Sequence, residues 1–207
     1  LPNLDLLSRT GVYFHGALIS SFTPTRVCFM VAQFESSSLA SSRTFPHVIE
    51  GLIQVVTGPQ RSFFTNVMAQ ALRIAGQGNS VLVVQFLKGG IGQGADHPTQ
   101  LGQNLDWLRC NLPRCIQSPD ITEEEAIALR DLWNHTRAVV SQGQYSLVVL
   151  DELSLAIQFG LIPESEVLEL LAQRPTQVDV ILTGPDMPSA LLDIADQVTE
   201  LRRTYCA

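Results

Sequence analysis

Three short stretches of the sequence carry residues whose types and spacing suit the handling of a charged phosphate ligand. The first is Thr57-Gly58-Pro59-Gln60-Arg61-Ser62-Phe63-Phe64-Thr65, between an apolar β-branched run and a helical pattern. A loop in that place cradles phosphate through backbone N–H groups, with a lysine to neutralise charge and a hydroxyl to hold magnesium. Thr57, Gly58, Arg61, Ser62 and Thr65 are therefore candidate binding residues. In the frame read from Gly58, however, Ser62 takes the place of the second glycine, Phe63 that of the lysine and Phe64 that of the hydroxyl. The second stretch is Gln85-Phe-Leu-Lys88, which leads into Gly89, Gly90, Gly92 and Gly94. Lys88 is the only lysine in the chain. With Gln85 it is a candidate for anion binding, against the plainer expectation of an exposed surface lysine. The third is Asp151-Glu152, two carboxylates closing an apolar run, where acidic residues rarely sit without a role. They are candidate metal or nucleotide ligands, or a helix cap.

The elements that must position these residues follow from hydrophobic periodicity. Apolar runs at 51–57, 81–86, 145–150 and 178–183 predict buried strands, with further strands at 105–109 and 197–202. A helical pattern begins near Ser62, with Phe64, Val67, Met68, Ala71, Leu72 and Ala75 on one face, and stops at Gly76 and Gly78. Thr122-Glu-Glu-Glu125 opens a long helix to about Ser141, with a cap and an acidic first turn that suit the helix dipole. Shorter helices are expected at 163–173 and 188–195. Strands alternating with helices give the fold class: α/β, a P-loop-type doubly wound, mainly parallel sheet of five or six strands with flanking helices. Ligands in such sheets bind beyond the carboxyl ends of the strands, here at 57–65, 85–94, 151–154 and 183–188.

Composition narrows the classes. Among 207 residues, 13 basic and 20 acidic side chains give a formal net charge of −7. A chain this acidic and poor in lysine is unsuited to sequence-independent nucleic-acid binding. Residues 1–50 balance their charges and are Ser-rich without a sustained period, so they read as an irregular N-terminal extension; 51–207 form the folded domain. The extension has no signal-peptide pattern, and its apolar stretch at 11–34 is interrupted by His15, Pro24 and Arg26, which makes it a poor membrane span. The four cysteines lack zinc-site spacing and read as reduced thiols of a cytoplasmic protein. Trp107 and Trp133 read as core residues rather than stacking platforms, and His97 and His135 as structural or surface residues.

Residues 51–203 resemble the ATP:corrinoid adenosyltransferase family. The points of match, in order, are Gly51-Leu-Ile with Thr57-Gly58, Ala71-Leu-Arg-Ile-Ala-Gly76-Gln-Gly78 and Val84-Gln-Phe-Leu-Lys-Gly89. They continue with Leu147-Val-Val-Leu-Asp-Glu-Leu153, Arg174-Pro175, Thr183-Gly184 with Pro188, and Ala195-Asp196 with Val198-Thr-Glu200. The resemblance implies ATP and magnesium as cofactors, a corrinoid of the cob(I)alamin type as substrate, and a homodimer. The implied reaction is attack of cobalt(I) on C5′ of ATP with triphosphate as leaving group. The sequence departs from the family at Gln60 and Ser62 for glycines, and at Phe63 and Phe64 for the lysine and hydroxyl. It departs again at Ser154 for an asparagine, at Pro185 for an arginine, and at Thr204-Tyr205 for a basic tail. Two expectations follow. One is an adenosyltransferase with an altered triphosphate site built on Arg61, Lys88 and Thr65. The other is a non-catalytic binding or regulatory module of the same fold contacting a protein partner, with Phe64 either in the core or offered to that partner.

Overall fold

A computed structural model of the chain describes residues 50–62, 64–89 and 97–202. The Ser-rich extension, Phe63, Gly90, Gly92, Gly94, Cys28, Cys206 and the Thr204-Tyr205 tail lie outside the described residues, as do the expectations attached to them.

The elements run in the order β1 (Ile53–Gly58), α1 (Thr65–Gly76), β2 (Val81–Gln85), β3 (Thr99–Leu101), β4 (Leu105–Arg109), α2 (Glu123–Ser141), β5 (Leu147–Asp151), α3 (Leu153–Gln158), α4 (Glu164–Gln173), β6 (Asp179–Pro185), α5 (Ser189–Asp193) and β7 (Gln197–Glu200). The described strands form one sheet in the order β3-β4-β2-β5-β6-β1-β7. All pairings are parallel except β3 with β4. The α/β, mainly parallel expectation holds. The described sheet has seven strands rather than five or six. The additional strand, β3, is the tripeptide Thr-Gln-Leu held by backbone pairing to β4, so no apolar run announces it.

Alternation along the strands separates two cores. Val81, Val83, Leu105, Leu147, Val149 and Ile181 face α1 and pack on Phe64, Val67, Met68, Ala71 and Ala75. Leu82, Val84, Leu108, Val148, Leu150, Val180 and Leu182 face the other way, onto Leu129, Leu132 and Trp133 of α2 and Val167, Leu170 and Leu171 of α4. Each fully buried aliphatic side chain contributes roughly 1.5–3 kcal/mol, which makes strand register a strongly held quantity. Trp133 is fully buried and meets Phe86 edge-on at 5.9 Å. The core expectation holds for Trp133, whereas Trp107 is only half-buried.

Two helix starts differ in their capping. α2 has the capping box that its sequence announced: Glu125 N donates to Thr122 Oγ1, and Thr122 N donates to Glu125 Oε2. Glu123 and Glu124 are solvated, but Glu125 is buried and takes two hydrogen bonds from Arg114. α1 starts at Thr65, three residues later than the periodicity implied, because Phe64 occupies the N-cap position with no side-chain cap.

Candidate functional site

The site lies where β2, β5 and β6 end. Gln85 and Asp151 are register partners across β2 and β5, and Gln85 and Arg109 are partners across β2 and β4. Their side chains therefore share the α1 face, one rung beyond the apolar row of Trp107, Val83, Val149 and Ile181. On this rung Asp151 is nearly fully buried and accepts three hydrogen bonds. Thr183 Oγ1 donates to its Oδ1 at 2.8 Å, and Gln85 Nε2 and Lys88 Nζ donate to its Oδ2 at 2.7 and 2.8 Å.

Glu152 follows at a sharp turn with a left-handed backbone, φ 59°. That conformation costs a non-glycine residue about 1–3 kcal/mol and persists only where the surroundings impose it. The surroundings here are specific. Glu152 N donates to Thr183 Oγ1 at 3.0 Å, and the carboxylate receives Arg61 Nε on Oε1 and Arg61 Nη2 on Oε2, both at 2.7 Å. Arg61 Nη1 donates to the Ile116 carbonyl at 2.8 Å. The carboxylate raises the pKa of the guanidinium above its already high value, although partial desolvation opposes this. Lys88 Nζ also stands 3.9 Å from Glu152 Oε1.

The positions β6 contributes are equally constrained. Gly184 has φ 138°, and a Cβ there would overlap Ser154 Oγ, which donates to the Pro185 carbonyl at 2.5 Å. Ser154 lies in the first turn of α3, a six-residue helix that hydrophobic periodicity leaves unassigned because a helix that short carries no readable period. At the other edge, Gly89 lets the chain leaving β2 pass against the 112–114 segment, since a Cβ there would stand 2.5 Å from the Leu112 carbonyl oxygen.

The structure brings Arg61, Lys88 and Glu152 together on one cavity of about 490 Å³, with Cys115 and Gln117 on its other wall. Gln85 and Asp151 lie buried beneath it. Thr57 and Gly58 line a different cavity of about 300 Å³ with Asp186, Met187 and Glu200, and the Thr57 hydroxyl donates to the Gly184 carbonyl at 2.8 Å. Ser62 and Thr65 line neither. Phe64 is 2% exposed and belongs to the α1 core. Counted strictly, the generic loop starting at Gly58 puts its second glycine at 63, its lysine at 64 and its hydroxyl at Thr65, one residue later than the frame with Ser62 at the second glycine. Both frames place a phenylalanine where the loop's cation belongs.

As arranged, the Asp151–Glu152 pair does not fit a resident magnesium ion. All four carboxylate oxygens already accept hydrogen bonds from protein donors, and an ion would have to compete with Thr183, Gln85 and Lys88 at Asp151 or with Arg61 at Glu152. Among the described residues no group of three or more metal-ligating side chains converges. Sequence reasoning placed Thr183 in a ligand-binding stretch without assigning it a role, read Trp107 as core, and missed Arg109 and the Ile116 carbonyl. Only the strand order, which no local pattern supplies, places them beside Gln85, Asp151 and Arg61.

A mainly parallel, doubly wound sheet with its polar row at the carboxyl ends of the central strands defines an α/β protein consistent with the P-loop-type fold. More narrowly, the chain belongs to the family described as ATP:corrinoid adenosyltransferase BtuR/CobO/CobP, whose model matches residues 49–205. A corrinoid adenosyltransferase of Escherichia coli K12 is 31% identical over 153 residues, covering 73% of this chain and 76% of that protein. The corrinoid adenosyltransferase CobA of Salmonella typhimurium LT2 has the same identity and coverage. An uncharacterised protein of Nostoc is 29% identical over 167 residues, covering 74% of this chain and 44% of its own length. Among the described residues, no helix is long and apolar enough to cross a membrane.

Proposed function

We propose that this protein is a corrinoid adenosyltransferase-like binding module that does not transfer adenosyl. The observation that carries this reading is the burial of Phe64, 2% exposed, at the start of α1. A working loop would there turn a cation or hydroxyl toward the triphosphate; here that position belongs to the core. Pro59 additionally removes one backbone N–H from the loop. The remaining cations support the same reading. Arg61 commits all three guanidinium nitrogens to Glu152 and Ile116, and Lys88 donates to Asp151. Triphosphate departure needs charge stabilisation that is preorganised and unspent, and one lost donor typically lowers rate about 10²–10³-fold. The names of the relatives make a corrinoid the small-molecule candidate, and a protein partner the macromolecular one, with the family's arrangement favouring a homodimer in the cytoplasm.

One observation favours the second reading, an adenosyltransferase with an altered triphosphate site. Arg61 and Lys88 both border the 490 Å³ cavity, from which an incoming triphosphate could compete with the carboxylates. ATP-dependent loss of the cobalt(I) absorbance of a reduced corrinoid separates the two. The binding reading expects the same rate with and without ATP; an ATP-dependent rate belongs to the enzyme.

A further inference from the structure

The ion pairs of the site leave one cation over. Among the described residues, Arg61 faces Glu152 and Lys88 faces Asp151, whereas Arg109, on the same rung, makes no ion pair. Its Nε donates to Gln85 Oε1 at 2.8 Å, and its guanidinium carbon lies 5.5 Å from the centroid of the Trp107 ring. Neither terminal nitrogen donates to a described residue. Gln85 is 1% exposed and its amide is fixed from both ends, accepting from Arg109 and from Trp107 Nε1 and donating to Asp151. Arg109 is thus held by a buried neighbour bonded at both ends of its amide and by an aromatic face, and the fork of its two terminal nitrogens is uncommitted among the described residues.

A guanidinium in that state is preorganised for bidentate recognition, because its plane and direction are set before a ligand arrives. Counting Arg61, Lys88 and Arg109 against Asp151 and Glu152, these five side chains carry a net positive charge, and Arg109 is the cation left over. We propose that Arg109, seated on Trp107 and Gln85, is an oxyanion-binding residue that takes a phosphate or carboxylate of a small-molecule ligand beside the Lys88–Asp151 pair. Its position at the carboxyl end of β4 is where ligands of parallel sheets bind. This subsite is distinct from the phosphate loop and does not depend on whether the protein transfers adenosyl.

Inorganic tripolyphosphate and succinate, titrated separately into the full chain, test the subsite. Calorimetry gives the affinity, and tryptophan fluorescence reports at Trp107, since Trp133 is fully buried. Saturable binding of at least one probe is expected, weakened about tenfold or more by Arg109→Gln, the scale of charge-assisted hydrogen bonds. Arg109→Lys, which keeps charge but loses the fork, should weaken it less. The surface variant Arg130→Gln should leave it unchanged. Preference for one probe identifies the oxyanion as phosphate or carboxylate. Absence of saturable binding of either probe to the native chain overturns the proposal, and so does an affinity indifferent to both Arg109 variants. If Arg109→Gln does not fold, the Arg109→Lys affinity decides.

Discussion

Phe64 is the residue on which the chemistry turns, and its two roles predict different outcomes. Phe64→Thr restores the hydroxyl of the family frame but removes a ring packed among Val67, Met68 and Ala71. Large-to-small changes at such sites cost about 3–5 kcal/mol. A clear drop in denaturation midpoint without gain of ATP-dependent transfer is therefore expected; unchanged stability would place the ring outside the core. The cysteines give an independent check on the cavity wall. Cys110 is buried, which pushes its thiol pKa up to about 12, whereas Cys115 is exposed on the cavity. Brief alkylation at pH 8 followed by peptide mapping should modify Cys115 and spare Cys110; the reverse order would contradict the packing. Phe64's place in the apolar stripe was legible in the sequence, because it is in phase with Val67, Met68 and Ala71. The Arg61–Glu152 clamp was not: each residue stood out locally, but they are 91 positions apart and no local pattern pairs them.

At the scale of elements, the best-read feature is the start of α2. Its Thr-x-x-Glu pattern states a reciprocal pair of backbone bonds outright, and both are present. What the pattern does not contain is Arg114, which binds the Glu125 carboxylate and, with the Thr122 N–H, holds its pKa below the ordinary value of 4.5. A carboxylate with a depressed folded pKa gives stability that is fully present above its unfolded pKa and lost as pH falls through the folded one. Acid titration of stability should therefore show a Glu125-dependent loss below about pH 4.5, absent in Glu125→Gln. Identical acid profiles for the two proteins would remove the pair from the account. The cap itself is separable, since Thr122→Ala should cost about 1 kcal/mol at neutral pH. Central strands were legible as apolar runs, and β4 as Leu105-Asp-Trp-Leu-Arg109. β3 and α3 were not, being too short to show a period.

The whole molecule combines a retained family scaffold with an altered charge pattern at its working edge. Several family positions are structural ties. Arg174 donates to the carbonyls of Gly51, Leu171 and Val178, and Asp196 accepts from Ile53 N. Such residues hold the sheet together whatever chemistry the edge performs, so the resemblance does not depend on turnover. The acidic balance of the chain agrees: its single lysine is bound to Asp151, and Arg61 is bound to Glu152. The most direct test is a single-turnover experiment, with the protein in excess over a reduced corrinoid and ATP added, run beside the Escherichia coli relative. The product is read as adenosylated corrinoid. The account predicts product from the relative and none above the no-ATP control from this protein. Stoichiometric adenosylated corrinoid from this protein would contradict it.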